Sequence, residues 1–162
     1  GGHCLPVDPF YLSFKAREYD FPAEFVELAG KVNQHQPHYC VERIVRALNE
    51  GSKAVRDSRV LLLGVSYKKG VGDMREAPAL KIAHLLRELG ANVAYHDPHV
   101  SEIPDLGLHS EPLDAALAGC DVACVITPHD EVDYADVVAR APLVVDFRGV
   151  TRGIAAENLI RL

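Results

Sequence analysis

The run Val60–Val65 constrains the fold more than any other part of the chain, because six consecutive positions carry no polar side chain. A strand with one solvated face alternates apolar and polar residues, whereas a strand buried on both faces is apolar throughout. Helices cover both faces of such a strand, in a mostly parallel sheet. The run therefore predicts a buried central strand of an α/β fold.

The segments after this run alternate between helix-like and strand-like patterns. Apolar residues at helical spacing, closed by Gly90, predict a helix at 79–89. Alternation of short strands with helices predicts a Rossmann-like parallel sheet flanked by helices, with right-handed crossovers. We expect further strands at 92–95, 121–127 and 143–146, and further helices at 112–118 and 134–139.

Residues 9–50 have a helical pattern instead. Apolar residues recur at three- and four-residue spacing in two groups, at 25–32 and 41–48. Pro37 lies between the groups and predicts a kink or break, because proline lacks a backbone N–H. Gly51 is expected to end the helix.

The length of 162 residues suits one domain with an appended helical segment. We expect a helical segment at residues 1–50 and an α/β domain at residues 51–162. The chain opens with Gly-Gly-His-Cys and not with Met, which favours a piece of a longer protein.

The charge balance limits the partners. Lys and Arg number 17 against 23 Asp and Glu, a net charge of −6. Binding to nucleic acid without sequence preference needs a basic surface, so we expect no nucleic-acid partner. No apolar run approaches the roughly 18 residues that span a membrane, so we expect no membrane partner. Small anionic ligands are still compatible, because a few local cations and backbone N–H groups hold them.

The four cysteines, Cys4, Cys40, Cys120 and Cys124, form no C-x-x-C pair and no disulfide-like spacing. The last three lie in apolar or helical patterns and are interpreted as core residues. A reducing cytoplasm fits this pattern. His35 and His38 have H-x-x-H spacing but lack a third ligand, so we predict no metal site.

The loop after the first strand, residues 64–76, combines three glycines with Lys68, Lys69 and Arg75. It matches neither G-x-G-x-x-G nor the G-x-x-x-x-G-K-[ST] phosphate loop. In an open parallel sheet, ligands bind outside the carboxyl ends of the strands, where this loop lies. The position favours an anion-binding loop, and a solvated basic loop is the alternative.

Polar residues also follow the other strands: Asp97 after the second, His129 after the third and Arg148 after the fourth. We expect Arg148 and Lys68 to meet at the same sheet edge, where an arginine suits a pyrophosphate or carboxylate. The alternative is that Arg148 pairs with Asp146 or Asp97.

The segment Gly1–Pro9 is compact and leads into a helix. A cysteine at such a junction is favourably placed to ionise, because helix N-terminal amides stabilise a thiolate. Asp8 lies four residues after Cys4 and is expected either to cap the helix or to position a water molecule.

Three stretches together resemble the UDP-glucose/UDP-mannuronic acid dehydrogenase family. They read Gly-Gly-His-Cys-Leu-Pro-Val-Asp-Pro at 1–9, Tyr-Lys-Lys-Gly-Val-Gly-Asp-Met-Arg-Glu-Ala-Pro at 67–78 and Tyr-His-Asp-Pro at 95–98. The resemblance implies three parts: an N-terminal NAD-binding domain, a helical linker that dimerises, and a C-terminal UDP-binding domain. By this resemblance, residues 1–50 would hold the end of the catalytic loop and part of the linker, and residues 51–162 the whole C-terminal domain. Residues 21–48 would form a homodimer.

The resemblance also implies an activity, the oxidation of C6 of a UDP-sugar to the acid by two NAD. It implies that Cys4 is the nucleophile, which forms a thiohemiacetal and then a thioester. Asp8 corresponds to the aspartate that assists water or orients the base. Tyr67 and Lys68 correspond to UDP-sugar contacts, Arg75 to an arginine that reaches the NAD, and Arg148 to a further substrate contact.

Val7 departs from the form typical of UDP-glucose enzymes, which carry lysine before the aspartate, and His3 precedes the cysteine. They are similar to the branch acting on UDP-N-acetylhexosamines such as UDP-N-acetylmannosamine. Because no G-x-G-x-x-G is present, we expect no dehydrogenase activity from these residues alone. The alternative is a non-catalytic nucleotide-binding or assembly module.

Overall fold

The computed structural model describes residues 4–162, and the predicted roles of Gly1, Gly2 and His3 lie outside them. Five α-helices are present among the described residues: α1 (Cys4–Arg17), α2 (Glu24–Glu50), α3 (Pro78–Glu88), α4 (Leu113–Ala118) and α5 (Tyr134–Arg140). A short 3-10 helix occupies Pro104–Leu106.

The strands form one parallel sheet and one small hairpin. The sheet has five strands in the order β2-β1-β5-β6-β7, and every neighbouring pair is parallel. β3 and β4 pair antiparallel beside it. The strands are β1 (Arg59–Leu63), β2 (Asn92–His96), β3 (Glu102–Ile103), β4 (Leu108–His109), β5 (Val122–Val125), β6 (Val144–Asp146) and β7 (Leu159–Arg161).

β1 lies inside the sheet between β2 and β5, and its residues 60–63 are all 0% exposed. Side chains alternate across a strand, so this run serves two cores at once. Val60 and Leu62 pack in a cluster with α2 and α3. Leu61 and Leu63 pack in a second cluster with α4 and α5. The continuous apolar run is therefore explained by helices on both faces, and the predicted Rossmann-like α/β fold is confirmed.

The second half of α2 belongs to the core. Val41, Ile44 and Leu48 are buried against β1 and α3, at the spacing that the sequence predicted. Gly51 ends the helix as expected. A break near Pro37 is absent, because α2 runs through this buried proline without interruption. The chain instead leaves the helical conformation at residues 18–23, between α1 and α2.

α1 folds back onto the first half of α2. A Cβ atom on Gly30 would lie 2.7 Å from the Phe10 ring, so the missing side chain is what lets the two helices approach. The Ser13 hydroxyl, which is buried, donates to Glu27 Oε1 at 2.5 Å, and Arg17 pairs with the same oxygen at 2.6 Å. These contacts fix α1 along the linker helix.

The outer surface of this helical pair is strongly apolar. The side chains of Phe25, Leu28 and Val32 are 87%, 55% and 59% exposed, on the half of α2 that precedes the core contacts. α1 adds Tyr11, 71% exposed, and Phe14, 68% exposed. Exposed apolar patches of this kind mark interaction surfaces in soluble proteins.

The predicted strands and helices of the sheet are present, with ends that differ by one or two residues. β7 and the β3–β4 hairpin were not predicted from the sequence. The two hairpin strands have two residues each and carry no periodicity, and β7 ends the chain without a following helix. Across residues 4–162, no helix is both long enough and apolar enough to cross a membrane.

Candidate functional site

The topology places a crevice at the carboxyl edge of the sheet between β1 and β5. The chain passes from β1 outward to β2 and then returns to the other side of β1. In sheets of this type, ligands bind at such a reversal point. Two loops border it here: residues 64–77, called the β1 loop, and residues 126–133, called the β5 loop.

Gly64 joins the two loops at the base of the crevice. Its φ of 79° lies in the left-handed region, and an added Cβ would lie 2.0 Å from the carbonyl oxygen of Thr127. Glycine is therefore required both by conformation and by space. In addition, the Thr127 hydroxyl donates to the carbonyl of Ser66 at 2.6 Å.

Asp97 anchors the start of the β1 loop from the end of β2. Its side chain is buried, and Oδ2 accepts the amides of Val65 at 2.7 Å and Ser66 at 3.3 Å. Oδ1 accepts the amides of His99 at 2.8 Å and Val100 at 3.1 Å. A buried carboxylate is stable only with such partners. Asp97 therefore shapes two loops.

His129 connects the β5 loop to both Asp97 and the β1 loop. Its side chain is 0% exposed. Nε2 lies 3.1 Å from Asp97 Oδ2 and 3.3 Å from Ser66 Oγ. Nδ1 accepts the amide of Gly70 at 3.2 Å. The sequence showed His129 at a strand end but did not reveal this network, which only the folded loops bring together.

Two consecutive lysines lie in the β1 loop. Lys68 is exposed, its Nζ lies 5.5 Å from the centre of the Tyr67 ring, and among the described residues it has no carboxylate partner. Lys69 pairs with Asp130 of the β5 loop at 3.1 Å. The two loops and Val150 also line a cavity of about 250 Å³. The β1 loop therefore presents one cation available to an anion.

Asp146 organises the loop that carries Arg148. Its Oδ1 accepts the amides of Arg148 and Gly149, each at 2.8 Å, and Oδ2 accepts the amide and hydroxyl of Thr151 at 2.9 and 2.6 Å. Burial alone would raise the pKa of Asp146, but these hydrogen bonds outweigh it and hold the pKa below its ordinary value. Arg148 itself is exposed.

Neither carboxylate engages the Arg148 guanidinium. Within residues 4–162, this guanidinium forms no ion pair, so the alternative of pairing with Asp146 or Asp97 is not the arrangement adopted. Arg148 follows β6 while Lys68 follows β1, and β5 lies between these strands. The two cations therefore lie at the same edge of the sheet, on loops that follow two strands separated by β5.

Arg75 lies at the far end of the β1 loop. Its Nε is 3.0 Å from Asp73 Oδ1 and its Nη2 is 2.6 Å from Asp73 Oδ2. The hydrogen bond and charge of Asp73 raise the pKa of the guanidinium. The side chain is 70% exposed and directed by this pair.

Cys4 and Asp8 lie on α1, apart from the strand ends. They are one helical turn apart and therefore on one face, since residues four apart are neighbours on a helix. Asp8 lies inside α1, so it is not the N-cap of this helix. A cavity of about 540 Å³ between α1, α2 and α3 brings Pro6 beside Glu76 and Ala77. The start of α1 is thus close to the end of the β1 loop.

The other three cysteines are buried, as expected of core residues. Burial raises the pKa of Cys40 to about 11 and also raises the pKa of Cys120 and Cys124. Cys4 is the exposed one among the four.

One cluster resembles a metal site, but one of its three residues already uses both of its ligand atoms. His99, His129 and Glu131 each present a ligand atom within 4.8 Å of one another. Both ring nitrogens of His129 are already hydrogen bonded within the protein. The predicted H-x-x-H pair, His35 and His38, is stacked with ring centres 5.6 Å apart. We assign no metal to either set.

This geometry is that of a Rossmann-like α/β domain with a basic loop at the point where the strand order of its sheet reverses. Comparison with known proteins then gives the family. Residues 61–153 match the UDP-binding domain of the UDP-glucose/GDP-mannose dehydrogenase family, and residues 1–35 match its central domain. The chain belongs to this family.

The relatives are considerably longer than the chain. It is 29% identical to a UDP-N-acetyl-D-mannosamine dehydrogenase of Pyrococcus horikoshii, over 94% of the chain and 39% of the relative. It is 30% identical to a UDP-glucose 6-dehydrogenase of Rhizobium meliloti, over 94% of the chain and 36% of the relative. The crystal structure of an NDP-N-acetyl-D-galactosaminuronic acid dehydrogenase from Methanosarcina mazei aligns with a TM-score of 0.84 at 25% identity, over 100% of this chain and 37% of that one.

Asp146→Asn is expected to lower the free energy of unfolding by about 1–3 kcal/mol at neutral pH, because an amide cannot accept from all four donors. The pKa of Asp146 lies below its ordinary value of 3.8. The carboxylate's contribution is therefore complete above that value and is lost as the pH falls through the folded-state pKa. Denaturant titrations at pH 7 and at several acidic values should show the difference from wild type shrinking in acid.

Asp114→Asn is the matched control, since that carboxylate is 85% exposed and pairs with Arg140 on the surface. It should change the free energy of unfolding by less than about 0.5 kcal/mol. Equal losses in the two variants would contradict the anchoring role of Asp146.

Proposed function

We propose that this chain contributes the UDP-binding part and the catalytic cysteine of an NAD-dependent UDP-sugar 6-dehydrogenase. The observation that carries the proposal is Lys68, an exposed cation without a carboxylate partner among residues 4–162, on the β1 loop of the matched UDP-binding domain. A diphosphate needs such a cation, together with backbone N–H groups, at the carboxyl edge of the sheet.

Three side chains are proposed to hold the nucleotide sugar. Lys68 neutralises the diphosphate, and the adjacent Tyr67 ring restricts where its ammonium lies. Arg148 reaches the substrate from the next loop but one, on a backbone that Asp146 holds in place. A planar guanidinium suits a phosphate or carboxylate, because it donates two parallel hydrogen bonds.

Cys4 is proposed as the nucleophile. Its thiolate adds to the C6 aldehyde of the sugar to give a thiohemiacetal, whose C6 hydride then leaves to form a thioester. Water attacks the thioester carbonyl, which releases the carboxylate and the Cys4 thiol. Asp8, one turn along the same face of α1, is placed to orient that water and take its proton.

NAD supplies the hydride acceptor for both oxidation steps when it is bound. The residues of this chain fit only one edge of such a cofactor, because the 162 residues contain no G-x-G-x-x-G loop. Arg75 is proposed to reach the cofactor, since Asp73 holds its exposed guanidinium outward from the end of the β1 loop. We infer that the main NAD site lies outside these residues and that they are inactive alone.

The proposed substrate is a UDP-N-acetylhexosamine such as UDP-N-acetylmannosamine. Relatives named for N-acetylated sugars and for UDP-glucose match at similar identity, so the proposal rests on Val7. Val7 immediately precedes Asp8. The form of this motif that is typical of UDP-glucose enzymes carries a lysine at that position. Cytoplasmic location remains a prediction from the cysteine pattern.

A homodimer through residues 21–48 is also proposed. Its support is the partition of α2, whose second half is buried in its own core while Phe25, Leu28 and Val32 are exposed. A second copy would cover these side chains and remove apolar surface from water.

Lys68→Ala is expected to weaken binding of UDP and of UDP-N-acetylglucosamine roughly tenfold to a hundredfold, because a charge-assisted contact to phosphate is lost. Isothermal titration calorimetry of the 162-residue chain measures this. Lys31→Ala, an exposed lysine on α2, is the control and should leave the affinity unchanged. Saturable binding that Lys68→Ala does not weaken would remove the nucleotide from the β1 loop.

Iodoacetamide is expected to modify Cys4 in the native chain and to spare the three buried thiols, whose burial raises their pKa. Mass spectrometry after a short pulse locates the label, and Cys4→Ser should abolish it. Four equally inert thiols would favour the alternative, a non-catalytic nucleotide-binding or assembly module.

Phe25→Asp is expected to convert a dimer into a monomer at micromolar concentration, because it places a charge in the apolar patch of α2. Sedimentation velocity distinguishes the two states. Leu162→Asp, a change at an exposed position at the end of the chain, should leave the dimer intact. A monomeric wild-type chain would count against the dimer.

A further inference from the structure

His129 is a buried titratable residue that the proposed chemistry does not use. It lies in the β5 loop, yet its contacts are on the β1 loop and on Asp97. A side chain that spans three strand ends is in a position to control their relative arrangement. The relevant segment is the turn at residues 68–70, called the lysine turn, which carries the proposed nucleotide contact Lys68.

The hydrogen bonds define which nitrogen of the ring is protonated. The Gly70 amide can only donate, so Nδ1, 3.2 Å away, must be the unprotonated acceptor. The proton is therefore on Nε2, where it is donated to Asp97 Oδ2 at 3.1 Å, with Ser66 Oγ at 3.3 Å. Asp97 in turn is fixed by backbone amides. The network thus fixes one tautomer and one ring orientation.

The residue after His129 contacts the lysine turn at a second point. Asp130, which follows His129, pairs with Lys69, which precedes Gly70, at 3.1 Å. Two consecutive residues of the β5 loop therefore bind two consecutive residues of the β1 loop. The Lys69–Asp130 pair is exposed and contributes little by itself, whereas the His129 contact is buried.

Two other titratable side chains lie near the ring, His99 and Tyr134. His99 packs against it with ring centres 5.0 Å apart and pairs with Glu131 at 3.0 Å. Tyr134 lines the same small cavity, and burial raises its pKa to about 12. Asp97 is the carboxylate that contacts the imidazole directly. Nε2 reaches the lysine turn only indirectly, through Ser66, whose hydroxyl donates to the carbonyl of Lys68 at 2.8 Å. The contact of Nδ1 with the Gly70 amide is therefore the direct one between the ring and the lysine turn.

We propose that His129 is a positioning residue for the nucleotide diphosphate, which acts by holding the Gly70 amide through Nδ1 and so fixing the backbone that presents Lys68. The inference rests on the proposed UDP site for its ligand. His129 does not contact the substrate in this scheme; it sets the conformation of the turn before the ligand arrives. Preorganisation of this kind increases affinity because the ordering cost is met on folding.

Two conservative variants separate the two nitrogens of the ring. In His129→Asn, the side-chain oxygen occupies the place of Nδ1 and can accept from Gly70, while the contact with Asp97 is lost. In His129→Gln, the terminal amide reaches the place of Nε2 and can donate to Asp97, while the acceptor for Gly70 is lost. A residue needed only for stability would not distinguish these variants by ligand binding.

The experiment measures hydrogen exchange of the Gly70 amide in the ligand-free chain and calorimetric affinity for UDP-N-acetylglucosamine. We expect His129→Gln to accelerate the exchange and weaken binding, each roughly tenfold, which corresponds to the loss of one hydrogen bond. His129→Asn should retain both values within about twofold, a difference small beside one hydrogen bond, even where its melting temperature falls. Equal behaviour of the two variants, or wild-type binding by His129→Gln, would overturn the proposal.

The hydrogen-exchange and affinity measurements test two different parts of the proposal. A wild-type chain that binds no nucleotide would refute the UDP site in these residues, while Gly70 exchange would still decide whether His129 holds the turn. Should a variant fail to fold, the ¹⁵N shifts of the wild-type ring decide the question. A protonated Nδ1 in the folded chain would contradict the inferred network.

Discussion

The carboxylate of Asp97 is buried where three loops converge, and among the described residues it has no lysine or arginine partner. A charge in that position is tolerated only because four backbone amides and the His129 ring surround it. Those amides belong to segments that leave β1 and β2, so the charge dictates how both segments start. The geometry of the crevice follows from satisfying this one buried group.

Asp146 repeats the arrangement at the end of β6, again with backbone amides and a threonine in place of cations. The donors to these two buried carboxylates are mostly neutral backbone amides, and this affects the electrostatics of the sheet edge. Lys68 and Arg148 form no ion pair within residues 4–162, although acidic residues outnumber basic ones in the chain. A protein with net charge −6 can therefore present positive charge along one edge of its sheet.

Sequence reasoning was most accurate where burial is two-sided. The apolar run of β1 allowed only one kind of strand, and the order of elements after it determined the sheet. The end of α2 at Gly51 and the burial of Val41, Ile44 and Leu48 followed from periodicity. The β1 loop, with its glycines and lysines, was also located from the sequence, because it directly follows the apolar run of the predicted strand.

Other features depended on contacts between distant residues. Pro37 is accommodated inside α2, where tertiary packing outweighs its local preference. Asp8 lies within α1, which excludes the helix cap, one of its two predicted alternatives, while its distance of one turn from Cys4 was implicit in the spacing. The roles of Asp97 and His129 required knowing that β2, β1 and β5 are neighbours, which residue types alone do not reveal. The pairing of Arg75 with Asp73 is a local contact that spacing could have suggested.

The continuity of α2 has a mechanical meaning. Its 27 residues extend for roughly 40 Å without an interruption at Pro37. One end is embedded beneath the sheet, and the other end projects the apolar patch with α1 fastened along it by Phe10 and Ser13. The helix is therefore anchored in the core of the domain by its second half. Any body seated on the free end is therefore held at a distance from the crevice that the length of one helix sets, because no loop separates the apolar patch from the half of α2 that packs in the core.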